Sequence, residues 1–344
     1  MRMLEAQFLD EIEKSGPLPQ SQFMEKALQT YYQNHIALGK DFTTAPEVNQ
    51  VFGELIGLWL LDVYQQLGCP KKISLVELGP GKGTLMADVL RIAKMVPAFY
   101  DALEVYLVEF SPLLKSLQKK TISHPSMKWL EKIEDLPSSS TPLLVVANEF
   151  LDALPTTYYF RKNNELYERC VGAKEGKVCF QFKYLCQNQG PETLWEESVA
   201  VKNLIESLCK RLKKQMGAFL CLDYGYEKGG GDTLQALVEG HPVDPLSHIG
   251  DADISCHVNF GHLRDLVLKE GLKAWGPLPQ GTFLKNLHIK ERIERLKKAN
   301  PSQKGPLEAA YTRLTHPSQM GLLFKAFAIT FPISLKPIGF DNEN

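Results

Sequence analysis

The sequence has little net charge and lacks several patterns that would place it in a class at once. Its formal net charge is -1 at pH 7 over 344 residues, which argues weakly against a polyanion such as nucleic acid as the main partner. No apolar run reaches the length of a membrane span. With 44% apolar and 23% charged residues, the chain is expected to be globular and not disordered.

Cysteine and histidine are not arranged as disulfide or metal sites. The seven cysteines are an odd number and none forms a C-x-x-C pair, so we expect reduced thiols and a cytosolic protein. His257 and His262 do not have the spacing that places two ligands on one helix face, and no H-E-x-x-H occurs. We therefore predict no metal. The segment 1–6, MRMLEA, has neither an apolar signal core nor an Arg-rich transit pattern.

Strand and helix alternate through the middle of the chain. Short apolar runs predict buried strands, and the amphipathic segments between them predict helices. The predicted strands are 73–78, 105–109, 127–130, 143–147 and 219–223, with helices at 84–95 and 112–120. This alternation is typical of an α/β fold that has a parallel sheet with helices on both faces.

The flanking regions are less regular. Two short helices are expected before residue 40, and one long helix is expected from Thr44 to Gly68, with Thr44 as N-cap and Glu47 completing a capping box. Residues 158–185 alternate apolar and polar side chains, which predicts an antiparallel insertion. The remaining expectations are a helix at 194–214, a lid or loop at 225–258, helices at 261–270 and 284–298, and a strand at 320–331.

These patterns predict a core enlarged by insertions. We expect an N-terminal helical region at 1–70. The core would comprise 71–155, 215–225 and 318–333. The insertions, 156–214 and 226–317, would form a region that binds and covers a substrate.

The glycine-rich segment ELGPGKG at 77–83 follows a buried strand and opens a helix. It is not a phosphate-binding P-loop, because Val76 occupies the first glycine position and Gly83 the hydroxyl position. It is not a dinucleotide fingerprint, because Thr84 stands where the third glycine belongs. The pattern E-x-G-x-G-x-G is the form that binds S-adenosylmethionine. The alternative is a purely structural glycine turn.

Carboxylates complete the predicted cofactor site. Glu109 ends the second strand, where a carboxylate can accept both ribose hydroxyls, although a solvated strand end is the alternative. Glu47 is interpreted equally as a helix cap and as a ligand contact. The residues expected to bind the cofactor are Thr44, Pro46, Glu47, Glu77, Gly79, Gly81, Gly83, Glu109 and Asn148.

The segment NEFLDALP at 148–155 follows the fourth strand, where ligands of open parallel sheets bind. Glu149 and Asp152 could hold a guanidinium fork and polarise it, a chemistry suited to carboxylates. Their alternatives are a turn cap and a helix cap. Asp223 ends the fifth strand and could also face the reaction centre or begin a turn, and His257 could simply pack or form a hydrogen bond within a lid. The predicted catalytic residues are Glu149, Asp152, Asp223 and His257.

Several segments together resemble the MidA family. They are TTAPE at 43–47, FGE at 52–54, ELGPGKGTLM at 77–86, VEFSP at 108–112, NEFLDALP at 148–155, DYGY at 223–226, GDTLQA at 231–236 and MGLLFK at 320–325. The resemblance implies a Rossmann-like class I methyltransferase with a seven-stranded, mostly parallel sheet. It also implies a protein arginine methyltransferase that symmetrically dimethylates a 49-kDa-type subunit of respiratory complex I during its assembly.

One position departs from the family pattern. The chain has Asn259 in the segment HVNF at 257–260, where family members usually have Asp, and we interpret this as a positioning residue. The expected partner is a protein substrate, and a homodimer is possible. We expect neither binding to nucleic acid nor insertion into a membrane. A bacterial, cytoplasmic member is expected, the mitochondrial matrix being the equivalent compartment for a eukaryotic one. The competing functions are methylation of a small molecule or another protein, and a non-catalytic assembly chaperone that binds the cofactor.

Overall fold

The computed structural model describes residues 3–34 and 43–340. Its α-helices, numbered in chain order, are α1 Met3–Ser15, α2 Gln20–Asn34, α3 Ala45–Val48, α4 Gln50–Gln66, α5 Thr84–Ala93, α6 Pro97–Ala102, α7 Pro112–Thr121, α8 Val199–Gln215, α9 Phe260–Lys269, α10 Gln280–Asn286, α11 Ile289–Ala299 and α12 Lys304–Thr315. Residues 35–40 of the expected N-terminal helices lie outside the described residues.

The strands are numbered in the same way. They are β1 Leu18–Pro19, β2 Ile73–Leu78, β3 Leu103–Val108, β4 Met127–Leu130, β5 Leu143–Asn148, β6 Thr157–Lys162, β7 Glu165–Lys174, β8 Lys177–Gln187, β9 Thr193–Glu197, β10 Gly217–Tyr226, β11 Gln235–Val238, β12 His241–Val243, β13 Asp253–Ser255, β14 Val258–Asn259, β15 Lys273–Pro279 and β16 Phe324–Phe331.

The chain forms two compact units. The first, here called the insertion unit, comprises Met1–Phe42, Leu151–Leu204 and Lys228–Asn259. The second, called the sheet unit, comprises Thr43–Phe150, Ile205–Glu227 and Phe260–Asn344. The sequence assigned 226–317 to the insertions, but 260–317 belongs to the sheet unit, because β15 pairs with β16 in its sheet.

A mixed sheet organises the sheet unit, in the order β15-β16-β10-β5-β2-β3-β4. The pairs from β10 to β4 are parallel, whereas β16 runs antiparallel to both β10 and β15. The chain reverses its order at β2 and β5, so β2 continues outward to β3 while β5 continues to β10. The predicted α/β methyltransferase architecture is confirmed. Ligands of such sheets bind beyond the carboxyl ends of the strands at such a reversal.

Continuous apolar strands explain the core of this unit. All six residues of β2 are buried, as are five of the six in β5. The core includes Leu75, Leu144, Leu220 and Ala328 from four neighbouring strands, and Trp59 of α4 belongs to the same cluster. Burying one leucine or valine side chain contributes roughly 1.5–3 kcal/mol, so the sheet provides a rigid support for the loops at its edge.

The helix expected from Thr44 to Gly68 is two helices. Asn49 is extended at φ -166° and its side chain accepts a hydrogen bond from the Val51 backbone N–H at 3.0 Å, which begins α4. Thr44 stands at the N-cap of α3 but its side chain forms no capping bond. The predicted capping box is therefore wrong, and the Glu47 carboxylate is used elsewhere.

The insertion unit contains the predicted antiparallel structure. Its larger sheet has the order β1-β7-β6-β9, with β8 on the other side of β7. Thr193–Glu197, expected as the start of a helix, is β9, and the segment expected as a lid or loop contains the sheet β12-β11-β13. Its core packs Phe8 and Phe23 of the N-terminal helices with Val171 and Ile254 of the strands.

The end of the chain also differs from expectation. The predicted helix at 284–298 is divided between α10 and α11, because His288 adopts a left-handed φ of 61°. The strand β15 and the helix α12 have no counterpart among the sequence expectations. No helix within the described ranges has both the length and the apolarity that a membrane span requires.

Candidate cofactor and active site

The glycine loop at 79–83 lies between β2 and α5, and its three glycines adopt left-handed backbone conformations. Gly79, Gly81 and Gly83 have φ values of 63°, 53° and 87°. A Cβ at Gly79 would lie 2.6 Å from Cδ2 of Phe150, and one at Gly83 would lie 2.6 Å from Cδ1 of Ile122. Side chains at these positions would meet both backbone strain and a collision, so glycine is required there.

Glu77 lies beneath this loop at the end of β2. It is 2% exposed, and burial raises its pKa to about 8, an effect that a hydrogen bond from the Met86 backbone N–H partly offsets. Met86 is in the first turn of α5, where the backbone N–H groups have no partner within the helix. The second carboxylate oxygen, Oε2, has no hydrogen-bond partner among the described residues. Such an atom fits a cationic partner, and S-adenosylmethionine supplies an ammonium group.

Glu109 follows β3 and is 6% exposed. Its Oε1 accepts a hydrogen bond from the Ser111 backbone N–H at 2.8 Å, and its Oε2 accepts one from Gln118 Nε2 at 3.2 Å. Burial raises the pKa of Glu109, while these donors and Lys115 oppose the rise. The carboxylate is therefore fixed in orientation at the edge of the sheet.

Gln118 of α7 was not identified from the sequence. It is fully buried, and its Nε2 also donates to the carbonyl oxygen of Gly81 at 2.8 Å. One amide thus joins the glycine loop to the carboxylate after the next strand. A glutamine on a short amphipathic helix gives no sequence signal of such a bridge.

Glu47 contacts the glycine loop. Its Oε2 lies 3.0 Å from Lys82 Nζ, and its Oε1 accepts a hydrogen bond from Thr84 Oγ1. Pro46, beside it in α3, is buried. The structure therefore brings the TAPE segment at 44–47 to the predicted cofactor loop, with Glu47 as a direct contact of that loop.

A second group of polar residues follows β5. Glu149 has a left-handed φ of 50°, and its Oε1 accepts hydrogen bonds from the Ala45 backbone N–H and from Asn148 Nδ2, both at 3.0 Å. The Glu149 backbone N–H donates to the Leu222 carbonyl of β10 at 2.9 Å. A non-glycine residue held in this conformation costs of order 1–3 kcal/mol and is common at functional sites.

Asp223 of β10 supports this turn. It is fully buried, and its two oxygens accept hydrogen bonds from the backbone N–H groups of Phe150, at 3.1 Å, and Tyr224, at 2.9 Å. These contacts favour a positioning role over contact with a reacting atom. Because Phe150 also lies against Gly79, the turn that carries Glu149 is adjacent to the glycine loop.

Asp152 and His257 belong to the insertion unit, whereas Glu149 and Asp223 belong to the sheet unit. Asp152 is 7% exposed, and its carbonyl accepts a hydrogen bond from the Cys256 backbone N–H at 2.9 Å. The His257 backbone N–H donates to Thr233 Oγ1 at 2.9 Å. The residues DT at 232–233 and the segment around 256–257 are thereby held together within that unit.

Metal ligands are not clustered in the part of the chain that the structure describes. Across residues 3–34 and 43–340, no group of three or more His, Cys, Asp or Glu side chains is arranged to hold a metal ion. All seven cysteines are free thiols.

The fold and the glycine loop define a methyltransferase of the S-adenosylmethionine-dependent class. Residues 55–278 match the family model described as "Putative S-adenosyl-L-methionine-dependent methyltransferase", and the chain belongs to this family. The resemblance to the MidA family is confirmed, and the protein is an S-adenosylmethionine-dependent methyltransferase.

Named relatives carry a more specific description. The protein arginine methyltransferase NDUFAF7 homolog, mitochondrial, of Drosophila melanogaster is 31% identical, over 96% of this chain and 85% of its own length. The protein arginine methyltransferase NDUFAF7, mitochondrial, of Xenopus laevis is 30% identical, over 92% of this chain and 82% of its own length.

Solved structures agree with the fold. A protein from Burkholderia thailandensis, crystallised with S-adenosyl-homocysteine bound, superposes with a TM-score of 0.83 at 22% identity, covering 98% of this chain and 94% of that one. A native crystal structure of a protein from the same organism gives 0.81 at 24% identity, with the same coverage of both chains.

Proposed function

We propose that this protein transfers a methyl group from S-adenosylmethionine to an arginine side chain of a protein, a 49-kDa-type subunit of respiratory complex I. The observation that carries the proposal is the left-handed Glu149 at the end of β5, adjacent to the glycine loop through Phe150 and Gly79. The naming of the NDUFAF7 relatives as protein arginine methyltransferases supports the same acceptor.

The residues near the loop fit the cofactor. We assign the ammonium group of the methionine end to Glu77, whose buried Oε2 lacks a partner among the described residues. We assign the ribose hydroxyls to the Glu109 carboxylate, which would accept hydrogen bonds from them. Thr44, Pro46, Glu47 and Asn148 remain candidates for the rest of the ligand, with Glu47 acting through its contacts with Lys82 and Thr84.

Glu149 suits a guanidinium acceptor. A guanidinium retains its proton at neutral pH, so a neighbouring carboxylate must bind the fork and draw positive charge away from the attacking nitrogen. Bound S-adenosylmethionine would supply an electrophilic methyl group and leave as S-adenosylhomocysteine, and the Glu149 carboxylate would accept the proton that the methylated nitrogen releases. The bonds from Ala45 and Asn148 hold one oxygen of Glu149 in place before the acceptor binds, which lowers the cost of orientation.

The other predicted catalytic residues have narrower proposed roles. We assign Asp223 to positioning the Glu149 turn, and we keep Asp152 as a second carboxylate for the acceptor. His257 and Asn259 are proposed to order the segment at 256–259 of the insertion unit, where the His257 backbone N–H donates to Thr233 Oγ1. The cytoplasm of a bacterium remains the proposed compartment, although the relatives' names place those proteins in mitochondria, and a homodimer remains a proposal as well.

Transfer of isotope tests the function. The protein is incubated with methyl-labelled S-adenosylmethionine and complex I subunits of the same organism, and mass spectrometry locates the label. We expect dimethylarginine on the 49-kDa-type subunit, and loss of label when that arginine is replaced by lysine. Label on a small molecule or another residue would replace the proposed acceptor.

Two variants distinguish a catalytic methyltransferase from a non-catalytic assembly chaperone that only binds the cofactor. Glu149→Gln and Asp152→Asn should each lower the rate of methyl transfer about 100-fold or more while cofactor binding changes little. The reason is that these two enzyme carboxylates are proposed to stabilise positive charge on the acceptor mainly in the transition state. Lys72, in an exposed ion pair with Glu104, offers the control Lys72→Gln, which should retain full activity. Unimpaired transfer in both carboxylate variants would remove them from the mechanism.

A further inference from the structure

Gln118 has a fixed orientation that the hydrogen bonds around it determine. Its Oε1 accepts a hydrogen bond from the indole Nε1 of Trp129 at 2.8 Å. An indole N–H can only donate, so the carbonyl end of the Gln118 amide must face Trp129. The NH₂ end then faces the other way, toward the Gly81 carbonyl and Glu109. The direction of the amide, usually a matter of assignment, is thus set by chemistry.

Both amide hydrogens of Gln118 have acceptors. Nε2 lies 2.8 Å from the Gly81 carbonyl oxygen and 3.2 Å from Glu109 Oε2. The first bond ties down the middle of the glycine loop, and the second fixes one carboxylate oxygen. Gln118 is fully buried, so neither bond competes with bulk water, and a lost donor would leave an acceptor unsatisfied.

The bond to Glu109 also affects its charge. Burial raises the pKa of the Glu109 carboxyl, and hydrogen bonds from Gln118 and from the Ser111 backbone N–H lower it. Both oxygens of a carboxyl group are free of protons, and so serve purely as acceptors for two hydroxyls, only when the group is ionised. Donation by Gln118 therefore favours the charge state that a ribose diol requires.

We propose that Gln118 is a positioning residue for the cofactor ribose: it acts through Glu109, and it holds the glycine loop and the ribose carboxylate at a fixed separation. It does not itself contact the cofactor. This inference rests on the proposed assignment of Glu109 to the ribose hydroxyls. It makes discrimination between ribose and deoxyribose ligands dependent on a residue of α7.

Calorimetry with two ligands tests the inference. The ligands are S-adenosylhomocysteine and its 2′-deoxy analogue, and the variants are Gln118→Leu, Glu109→Gln and Trp129→Phe. Gln118→Leu should weaken S-adenosylhomocysteine binding about tenfold, the effect of one charge-assisted hydrogen bond, and change binding of the deoxy analogue less. Trp129→Phe keeps an aromatic side chain but removes the indole N–H that orients the Gln118 amide, so it should reduce the discrimination by a smaller factor.

Gln280→Leu is the matched control. Gln280 is also fully buried in the sheet unit, and its Nε2 donates to a backbone carbonyl, that of Leu314, at 3.0 Å. Loss of that bond should lower stability without changing the ratio of the two affinities. Equal weakening of both ligands by Gln118→Leu would show a structural role only and overturn the inference.

The pH dependence gives an independent measure. Removing the Gln118 donor should raise the pKa of Glu109. As the pH is lowered, Gln118→Leu should therefore lose affinity for S-adenosylhomocysteine at a higher pH than the wild type does. An unchanged acid limb would contradict the proposal. If Glu109→Gln still distinguishes S-adenosylhomocysteine from its 2′-deoxy analogue, the assignment of the ribose to Glu109 is wrong. If Glu109→Gln loses this discrimination but Gln118→Leu keeps it, the ribose assignment stands and only the positioning role of Gln118 is rejected. None of these outcomes depends on the methyl acceptor.

Discussion

The two units place their buried polar groups in different ways. In the sheet unit three buried carboxylates, those of Glu77, Glu109 and Asp223, lie at or beside the ends of the parallel strand pairs. In the insertion unit a buried guanidinium, that of Arg169 in β7, lies within an antiparallel sheet and is 5% exposed. The first arrangement presents polar atoms at an edge where ligands bind, whereas the second joins strands to a connecting segment.

Arg169 shows what the second arrangement does. Its guanidinium pairs with both oxygens of Asp232 and donates to Gln20 Oε1. Its Cζ also lies 4.4 Å and 4.8 Å from the ring centroids of Tyr158 and Phe180. The comparison indicates that the strand-end carboxylates of the sheet unit are placed for the proposed ligand, whereas Arg169 of the insertion unit orders the segment at 231–233.

Arg169→Met should produce the largest effect and break the insertion unit's network. The variant fills similar volume but removes both cation–π contacts and leaves the Oε1 of fully buried Gln20 without its donor, so we expect a loss of about 3 kcal/mol in the free energy of unfolding. Urea denaturation measures it. Arg264→Met removes an exposed ion pair with Glu227 in the sheet unit and should cost at most about 1 kcal/mol. Similar losses in the two variants would contradict the comparison.

Gly79→Ala tests whether the sheet unit's edge is a binding site. The added Cβ collides with Phe150 beside the predicted cofactor path, so we expect the affinity for S-adenosylhomocysteine to fall about 100-fold, or about 2.7 kcal/mol. Gly176→Ala has a similar φ, 73°, but open space around it, and it should retain full affinity. Calorimetry that finds wild-type affinity in Gly79→Ala would remove this loop from the site.

Glu77→Gln sharpens the comparison through pH. The pKa of Glu77 is raised from 4.5 to about 8 in the folded protein, so the fold favours the protonated acid. Wild-type stability is then complete below pH 4.5 and falls as the pH rises toward 8. Glutamine does not ionise, so the variant should be more stable than the wild type by roughly 3 kcal/mol at pH 7, the cost of ionising over the 2.5 pH units above 4.5, with no gain at pH 4.

The same substitution should weaken the cofactor site. The variant loses the negative charge proposed to pair with the ligand's ammonium group, so its affinity for S-adenosylhomocysteine should fall. Urea denaturation across pH, beside calorimetry, measures both effects. The control is Glu104→Gln, a partly exposed carboxylate of β3, which should alter neither. A parallel loss of stability and affinity in Glu77→Gln would indicate a structural carboxylate instead.

The sequence predicted the sheet unit better than the insertion unit for a physical reason. Strands such as β2 and β5 are mostly apolar and almost entirely buried, and glycines or polar residues mark their ends. By contrast, β9 and β11 are short and each has only one buried residue, so their pairing depends on distant partners that no local pattern reveals. Gln118 was missed for the same reason, because its role depends on Gly81, Glu109 and Trp129 meeting in space.

The smallest expected effect concerns the break between α3 and α4, which local pattern alone misjudged. The Asn49 side chain caps α4 through the Val51 N–H, whereas Thr44 forms no capping bond at α3. Asn49→Ala should therefore lower the free energy of unfolding by about 1 kcal/mol, and Thr44→Ala by much less. Thermal and urea denaturation of both variants compare them. A larger loss of stability in Thr44→Ala than in Asn49→Ala would show that Thr44 caps α3 after all and contradict the observed geometry. If Thr44→Ala instead weakened cofactor binding without loss of stability, Thr44 would belong to the proposed ligand site beside the TAPE segment.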